Sequence, residues 1–294
     1  MTTGTFVVDR SERGKLALTG AEAKDFLHGQ VTNDILGLTP GHGCYAAFLT
    51  HKGKMRGDMR VFDLGDELLL DCERVALQEL FNMINRYKLG RDVELHKRTI
   101  QMGLLSVIGP DAPPLAPERE HDNARVTLRG ASVVAVRTDV GVDLFFAAED
   151  RDAVRAALEF PDGDEAEAEV VRVEHGRPRY GVDLDDTVIP QEAGLNERAV
   201  SFTKGCYVGQ ETVARLYYRG KPNRRLLGLR LSEPVEPGTE LTLGEKVVGK
   251  VGSVVVSPAH GPIALALVRR EANPGDRVAL KGSTALIVDV PFER

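Results

Sequence analysis

Apolar and polar positions alternate over residues 14–19, and that period predicts a strand. The period lengthens from Glu22 to Val31, where Phe26, Leu27 and Gln30 fall at helical intervals, so a helix follows. The glycine-hinged run Gly41-His42-Gly43 leads into a strand reaching Leu49, and its partner is predicted over 58–64. The polar stretch His51-Lys52-Gly53-Lys54 makes the turn between them. Residues 67–72 predict another strand. Residues 74–89 predict an amphipathic helix, because Val75, Leu80, Met83, Ile84 and Tyr87 recur at helical steps and Gly90 supplies a stop. Val93 and Leu95 open a strand, and 100–108 forms the next. Pro110, Pro113, Pro114 and Pro117 then remove backbone donors and restrict their neighbours, which predicts a loop. Strands are expected over 125–128, 133–137 and 142–147, and a helix over 151–158. Residues 165–174 fit a helix, although Val170, Val171 and Val173 suit a strand as well.

The pattern changes after Gly220. Short valine-rich segments separated by glycine and proline run to the end, with no long helix between them. This predicts a small all-β barrel or sandwich over 221–294. The alternation of sheet and helix before it predicts an α+β body over 1–220, built in two lobes.

Charge and cysteine usage narrow the function classes. Lys and Arg total 38 against 44 Asp and Glu, a formal charge of −6, which disfavours a surface that coats nucleic acid; no direct DNA binding is expected. Three cysteines, Cys44, Cys72 and Cys206, are too few for a secreted disulfide framework and form no CxxC pair. No apolar run approaches the roughly 20 residues of a membrane span, and the first residues lack a signal-peptide core, so a cytoplasmic protein is expected. The glycines match neither GxGxxG nor the P-loop spacing, which argues against nicotinamide and nucleotide chemistry.

The chemistry concentrates around Cys206. Gly205 and Gly209 bracket it, Lys204 and Arg215 bring positive charge toward its sulfur, and a helix starting near Val208 would add its positive end. A reactive or metal-touching thiol fits this pattern, and so does a half-buried cysteine in a tight glycine turn. Three thiols far apart in sequence exclude a four-cysteine metal site within one chain.

The run Lys204-Gly205-Cys206-Tyr207-Val208-Gly209-Gln210-Glu211 resembles the signature of the YgfZ/IBA57 family, folate-binding proteins of iron–sulfur cluster assembly related in fold to the glycine cleavage T-protein. Residues 189–196 (IPQEAGLN), Arg172-Val173-Glu174-His175-Gly176, residues 26–34 (FLHGQVTND) and Gly53–Asp58 resemble further segments of that family, with His175 where a small residue is usual. The match spans most of the chain. It implies a T-protein-like two-lobed folate-binding body followed by a C-terminal β-barrel.

By that resemblance, Glu174 meets the pterin of tetrahydrofolate or another reduced folate, Asp58 lies at the reactive edge, and Asn33 with Thr32 lines the same cavity. Tyr87 or Tyr45 would pack on a folate ring, with simple core packing as the competing reading. Arg215 or Arg219 would meet the anionic glutamate tail. Glu192 would anchor the loop that carries Cys206, as support and not chemistry. Cys206 would act as the catalytic or metal-touching thiol, holding iron or an iron–sulfur cluster transiently. The implied function is an accessory role in iron–sulfur assembly or repair for client enzymes, including tRNA-modifying ones, with client or assembly proteins as partners. Two alternatives stay open: a folate-dependent aminomethyltransferase, and a folate-free thiol scaffold or redox protein.

Overall fold

A computed structural model describes residues 4–293. The chain divides into two compact units. One comprises the residues up to Asp164 together with Glu197–Gln210; the other comprises Glu165–Asn196 and the residues from Glu211 onward.

The first unit is built from β1 (Phe6–Asp9), β2 (Gly14–Thr19), α1 (Ala23–Gln30), β3 (Gly43–Leu49), β4 (Met55–Asp63), β5 (Leu68–Cys72), α2 (Leu77–Tyr87), β6 (Glu94–Lys97), β7 (Met102–Ile108), β8 (Asn123–Leu128), β9 (Ala131–Thr138), β10 (Gly141–Ala147) and α3 (Arg151–Arg155). The strands form two five-stranded antiparallel sheets, ordered β3-β4-β5-β2-β6 and β1-β7-β10-β9-β8. Side chains two apart on a strand share a face. On β4 that rule puts Asp58, Arg60 and Phe62 on one face. Phe62 there packs with Leu69 of its own sheet and with Leu104, Val134, Val136 and Phe145 of the other. The layer between the two sheets is therefore apolar at one end. It is polar at the other, where Arg60 of β4 bonds Asp143 of β10 at 2.5 Å. The far face of the second sheet packs Val107, Val133, Leu144 and Phe146 under Val154 of α3.

Most predicted elements appear, with shifted ends. The helix expected from residue 74 begins with a 3-10 turn over Arg74–Ala76, and α2 proper starts at Leu77. Val75 and Tyr87 lie at its two ends and are exposed, while Leu80, Met83 and Ile84 are buried. The helix predicted over 151–158 ends at Arg155. Strand β1 was not anticipated: its four residues are too few to show a period, and pairing with β7 forms it.

The second unit contains α4 (Glu165–Glu174), only the first residue of α5 (Asn196–Ala199), all but the first residue of α6 (Gln210–Arg219), and then β11 (Arg224–Leu231), β12 (Glu240–Leu243), β13 (Lys246–Ser257), β14 (Gly261–Arg269), β15 (Arg277–Leu280) and β16 (Ser283–Val288). The six strands close into a barrel ordered β11-β14-β13-β12-β15-β16, which removes free sheet edges. Leu229, Leu241, Val251, Ala264 and Ile287 fill it. Residues 165–174 resolve as a helix because Ala168, Val171 and Val173 fall at helical steps; Val173 packs with Leu226, Ile263, Leu265 and Phe292 on the barrel's outside. Among the described residues, no helix is long and apolar enough to cross a membrane.

Candidate functional site

Strand register assembles a polar site in the first unit. Tyr45 pairs with Arg60 and Ala47 with Asp58, so Tyr45 and Asp58 are diagonal neighbours on one face. The Tyr45 hydroxyl donates to the Asp58 carboxyl. Asp58 is only 5% exposed, and its Oδ2 has no hydrogen-bond partner among the described residues. Burial raises its pKa to about 6, with the Tyr45 hydrogen bond pulling the other way. Gly57 sets this geometry: it has φ +156, and a Cβ there would sit 2.5 Å from the Phe48 ring.

The same face carries a second carboxyl with the opposite behaviour. Asp71 lies on β5 opposite Arg60. Arg60 Nε donates to its Oδ2 at 2.8 Å, and Arg13 Nη2 does so at the same distance. Burial pushes Asp71 up, but the two guanidinium groups prevail and hold it at about 2. Arg13 also pairs with Glu73. Two buried carboxyls are thus driven apart, one fixed as an anion and the other placed to gain or lose a proton near neutral pH.

Loop residues complete the site. The Arg198 guanidinium lies 5.5 Å from the Tyr45 ring centroid and pairs with Glu120. The His121 ring lies 6.3 Å from that of Tyr45. Burial, then Arg60 and Arg198, lowers the His121 pKa to about 3, so its ring is neutral at pH 7. His121 Nδ1 is buried and has no partner among the described residues.

Asn33 reaches this neighbourhood through hydrogen bonds to backbone groups. Its Nδ2 donates to the Tyr45 carbonyl at 2.8 Å and to the Arg198 carbonyl at 3.4 Å, and its Oδ1 accepts from the Asp34 amide. It ties strand to loop. Thr32 does the same: its hydroxyl donates to the Ala199 carbonyl and accepts the Ala47 amide.

The Cys206 loop belongs to the same unit, and its sulfur is exposed. Lys204 does not serve the sulfur as expected. Its ammonium donates to the carbonyls of His28, in the last turn of α1, and of Val31 and Asn33 just beyond it. Burial lowers Lys204 to about 8. Gly209, at φ +86, lies so close to the β3–β4 turn that a Cβ would stand 2.5 Å from the Thr50 carbonyl. No group of three or more His, Cys, Asp or Glu among the described residues is arranged to hold a metal, so any metal at Cys206 needs ligands from elsewhere. Cys44 is burial-raised to about 12, and Cys72 is buried.

Of the remaining predicted residues, Tyr87 belongs to the first unit and Glu174, Glu192 and Arg215 to the second. Tyr87 is 50% exposed at the end of α2, with the Arg86 guanidinium 5.7 Å from its ring. Arg215 is exposed on α6. Glu174 is the last residue of α4 and is 4% exposed, with Ser257 Oγ 2.5 Å from its Oε1. Glu192, expected to anchor the Cys206 loop, is seen to tie the turn over 189–192 to β11: Arg224 donates to both of its oxygens at 3.1 and 2.9 Å. His121, Arg198 and Glu120 were not singled out from sequence. The only local hint was the clustered run Glu120-His121-Asp122. A cleft of about 470 Å³ lined by Asp9, Ser11, Arg74, Thr99, Ile100 and Arg151, among others, includes none of the site residues.

A model of the GCVT N-terminal domain matches residues 1–137, and one of the glycine cleavage T-protein C-terminal barrel domain matches residues 224–292. Among curated proteins, the chain is 28% identical to a putative chloroplastic transferase of Arabidopsis thaliana, over 98% of this chain and 71% of that protein. It is 29% identical to an uncharacterized protein of Haemophilus influenzae, over 78% of this chain and 75% of that one. The crystal structure of glycine cleavage system aminomethyltransferase T from Bartonella henselae superposes with a TM-score of 0.85 at 20% identity, covering 98% of this chain and 86% of that one.

Proposed function

This chain belongs to the glycine cleavage T-protein fold family, and on that premise we propose that it binds a reduced folate and acts as a folate-dependent aminomethyltransferase. Asp58 carries the reading. It is a buried carboxyl brought to about 6, hydrogen-bonded on one side by Tyr45 and without a partner at Oδ2. An acid in that range exchanges a proton at neutral pH, as general acid–base catalysis requires.

The residues present suit a folate. The pyrimidinone edge of a pterin presents N–H donors, and an ionised glutamate accepts only, so Glu174 matches it. Bound tetrahydrofolate supplies a secondary amine that accepts a one-carbon unit. Asp58 holds or releases a proton at Oδ2. Tyr45 fixes the direction of the Asp58 carboxyl, and Arg13 and Arg60 keep Asp71 charged so that it does not compete for that proton.

The assay supplies aminomethyl-lipoyl carrier protein and tetrahydrofolate without oxygen. Folate-dependent ammonia release over many turnovers is expected. Asp58→Asn should lower turnover by about a hundredfold or more while leaving folate affinity within a few-fold. Saturable folate binding with no turnover in the wild type removes the transferase reading.

A second reading has its own observation. Cys206 is exposed on a loop pinned by Lys204 and Gly209, and its surrounding run resembles the iron–sulfur assembly branch. In this reading the folate-bound protein supports cluster assembly or repair in client enzymes, including tRNA-modifying ones, and Cys206 exchanges with a partner thiol or shares an iron. Client cluster content is compared between cells carrying Cys206→Ala and wild type. Reduced content is expected, and equal content counts against the role.

A further inference from the structure

The hairpin joining β13 to β14 holds a buried serine whose three hydrogen bonds leave it no choice of role. Ser257 ends β13, is 2% exposed and pairs with Gly261 across the turn. The amides of Ala259 and His260 both donate to its Oγ at 3.0 Å. A serine hydroxyl has two acceptor positions and one proton. The two amides take both acceptor positions, so the proton points at the third neighbour, Glu174 Oε1, 2.5 Å away. Glu174 Oε1 is therefore an acceptor.

The same strand grips α4 at a second point. Ser253, four residues earlier on the same face of β13, receives Arg172 Nη2 on its Oγ at 2.5 Å and donates that hydroxyl to Asp183 Oδ2 at 3.0 Å. Arg172 Nη1 bonds the same Asp183 oxygen at 2.9 Å. The Glu174 carbonyl accepts the Phe292 amide at 2.9 Å. Backbone and side chain at the end of α4 are thus both held, and a glutamate with three rotatable bonds is kept in one orientation.

We infer that Ser257 is a positioning residue that fixes Glu174 as an acceptor, and that it thereby selects ligands presenting paired N–H donors, such as the 2-amino-4-oxo edge of a pterin, over ligands lacking them. The inference rests on the folate reading of Glu174. A ligand edge that offers an acceptor to Glu174 meets a lone pair there, and one without the 2-amino group forfeits a charge-assisted bond.

The test titrates tetrahydrofolate, and its analogue lacking the 2-amino group, anaerobically into wild type, Ser257→Ala, Ser257→Thr, Glu174→Gln and the Ser257→Ala/Glu174→Gln double variant. Thermal unfolding is recorded for each. Ser257→Ala should weaken tetrahydrofolate binding about tenfold and narrow the preference for it over the analogue. Ser257→Thr, which keeps the hydroxyl, should restore both. The double variant should bind no worse than Glu174→Gln alone, because Ser257 acts through that carboxyl. A purely structural serine would lower the melting temperature and leave the ligand preference unchanged, and that result overturns the proposal. So do additive losses in the double variant. Wild type that fails to bind, or Glu174→Gln that binds normally, removes the folate reading of Glu174 and the Ser257 role with it.

Discussion

Replacing Asp58 with asparagine should make the protein more stable at neutral pH, although Asp58 is a residue on which the proposed chemistry depends. The Asp58 carboxyl titrates at about 6 in the folded protein against 3.8 in the unfolded chain. The folded state therefore binds this proton more tightly, and between those values stability falls as pH rises. Above pH 6 the buried anion costs the fold about 3 kcal/mol, at 1.36 kcal/mol for each pH unit separating the two titrations. Below pH 4 both states hold the proton and the cost vanishes. Asparagine has the same shape, accepts the Tyr45 hydroxyl through its amide oxygen and carries no charge. Asp58→Asn should thus gain about 3 kcal/mol at pH 8, roughly 6–12 °C in melting temperature for a body of this size, and almost nothing at pH 3.5. Urea unfolding of both proteins across that pH range measures the difference. Equal stability at pH 8, or a gain that persists unchanged at pH 3.5, refutes the claim that burial of the charge sets the Asp58 titration.

Asp71 should behave in the opposite way: Asp71→Asn leaves the buried Arg13 and Arg60 short of their shared partner and should cost about 3–5 kcal/mol in urea unfolding at pH 7. The Asp71 contribution is present above pH 3.8 and is lost as pH falls toward its folded value of about 2, which acid titration of the native state will show. Gly209→Ala must adopt a positive φ and push a Cβ onto the Thr50 carbonyl, so it should destabilise by about 1–3 kcal/mol. In thiol labelling of the native protein, Cys206 should react fastest, half-buried Cys44 slowly because its thiol is pushed up to about 12, and buried Cys72 only on unfolding; fast labelling of Cys72 contradicts the burial described.

The parts of the molecule that were legible in sequence are those where local pattern and tertiary demand agree. The barrel strands announce themselves by short valine-rich runs between turn residues, and the strand read over 58–64 overlaps β4. The rest depends on contacts between distant segments. His121 is placed by its amide bonding the Arg137 carbonyl, and Arg198 by its own carbonyl bonding the Asn33 amide group, and neither leaves a trace in periodicity. Lys204 stands two residues from Cys206, but its ammonium donates to three carbonyls at and just beyond the end of α1, those of His28, Val31 and Asn33. Tyr87 falls at a helical step with buried residues, yet it is the last residue of α2 and is exposed. Ser257 lies 83 residues from Glu174, and only the closed barrel brings them together.

The central claim is that this chain binds a reduced folate through Glu174, and calorimetric titration of the ligand-stripped protein with tetrahydrofolate under anaerobic conditions, paired with a thermal-shift readout, tests it most directly. The account predicts saturable one-site binding and a raised melting temperature, both largely lost in Glu174→Gln. Neither heat nor shift at millimolar ligand in the wild type contradicts it, and the exposed Cys206 loop then becomes the first place to look for function.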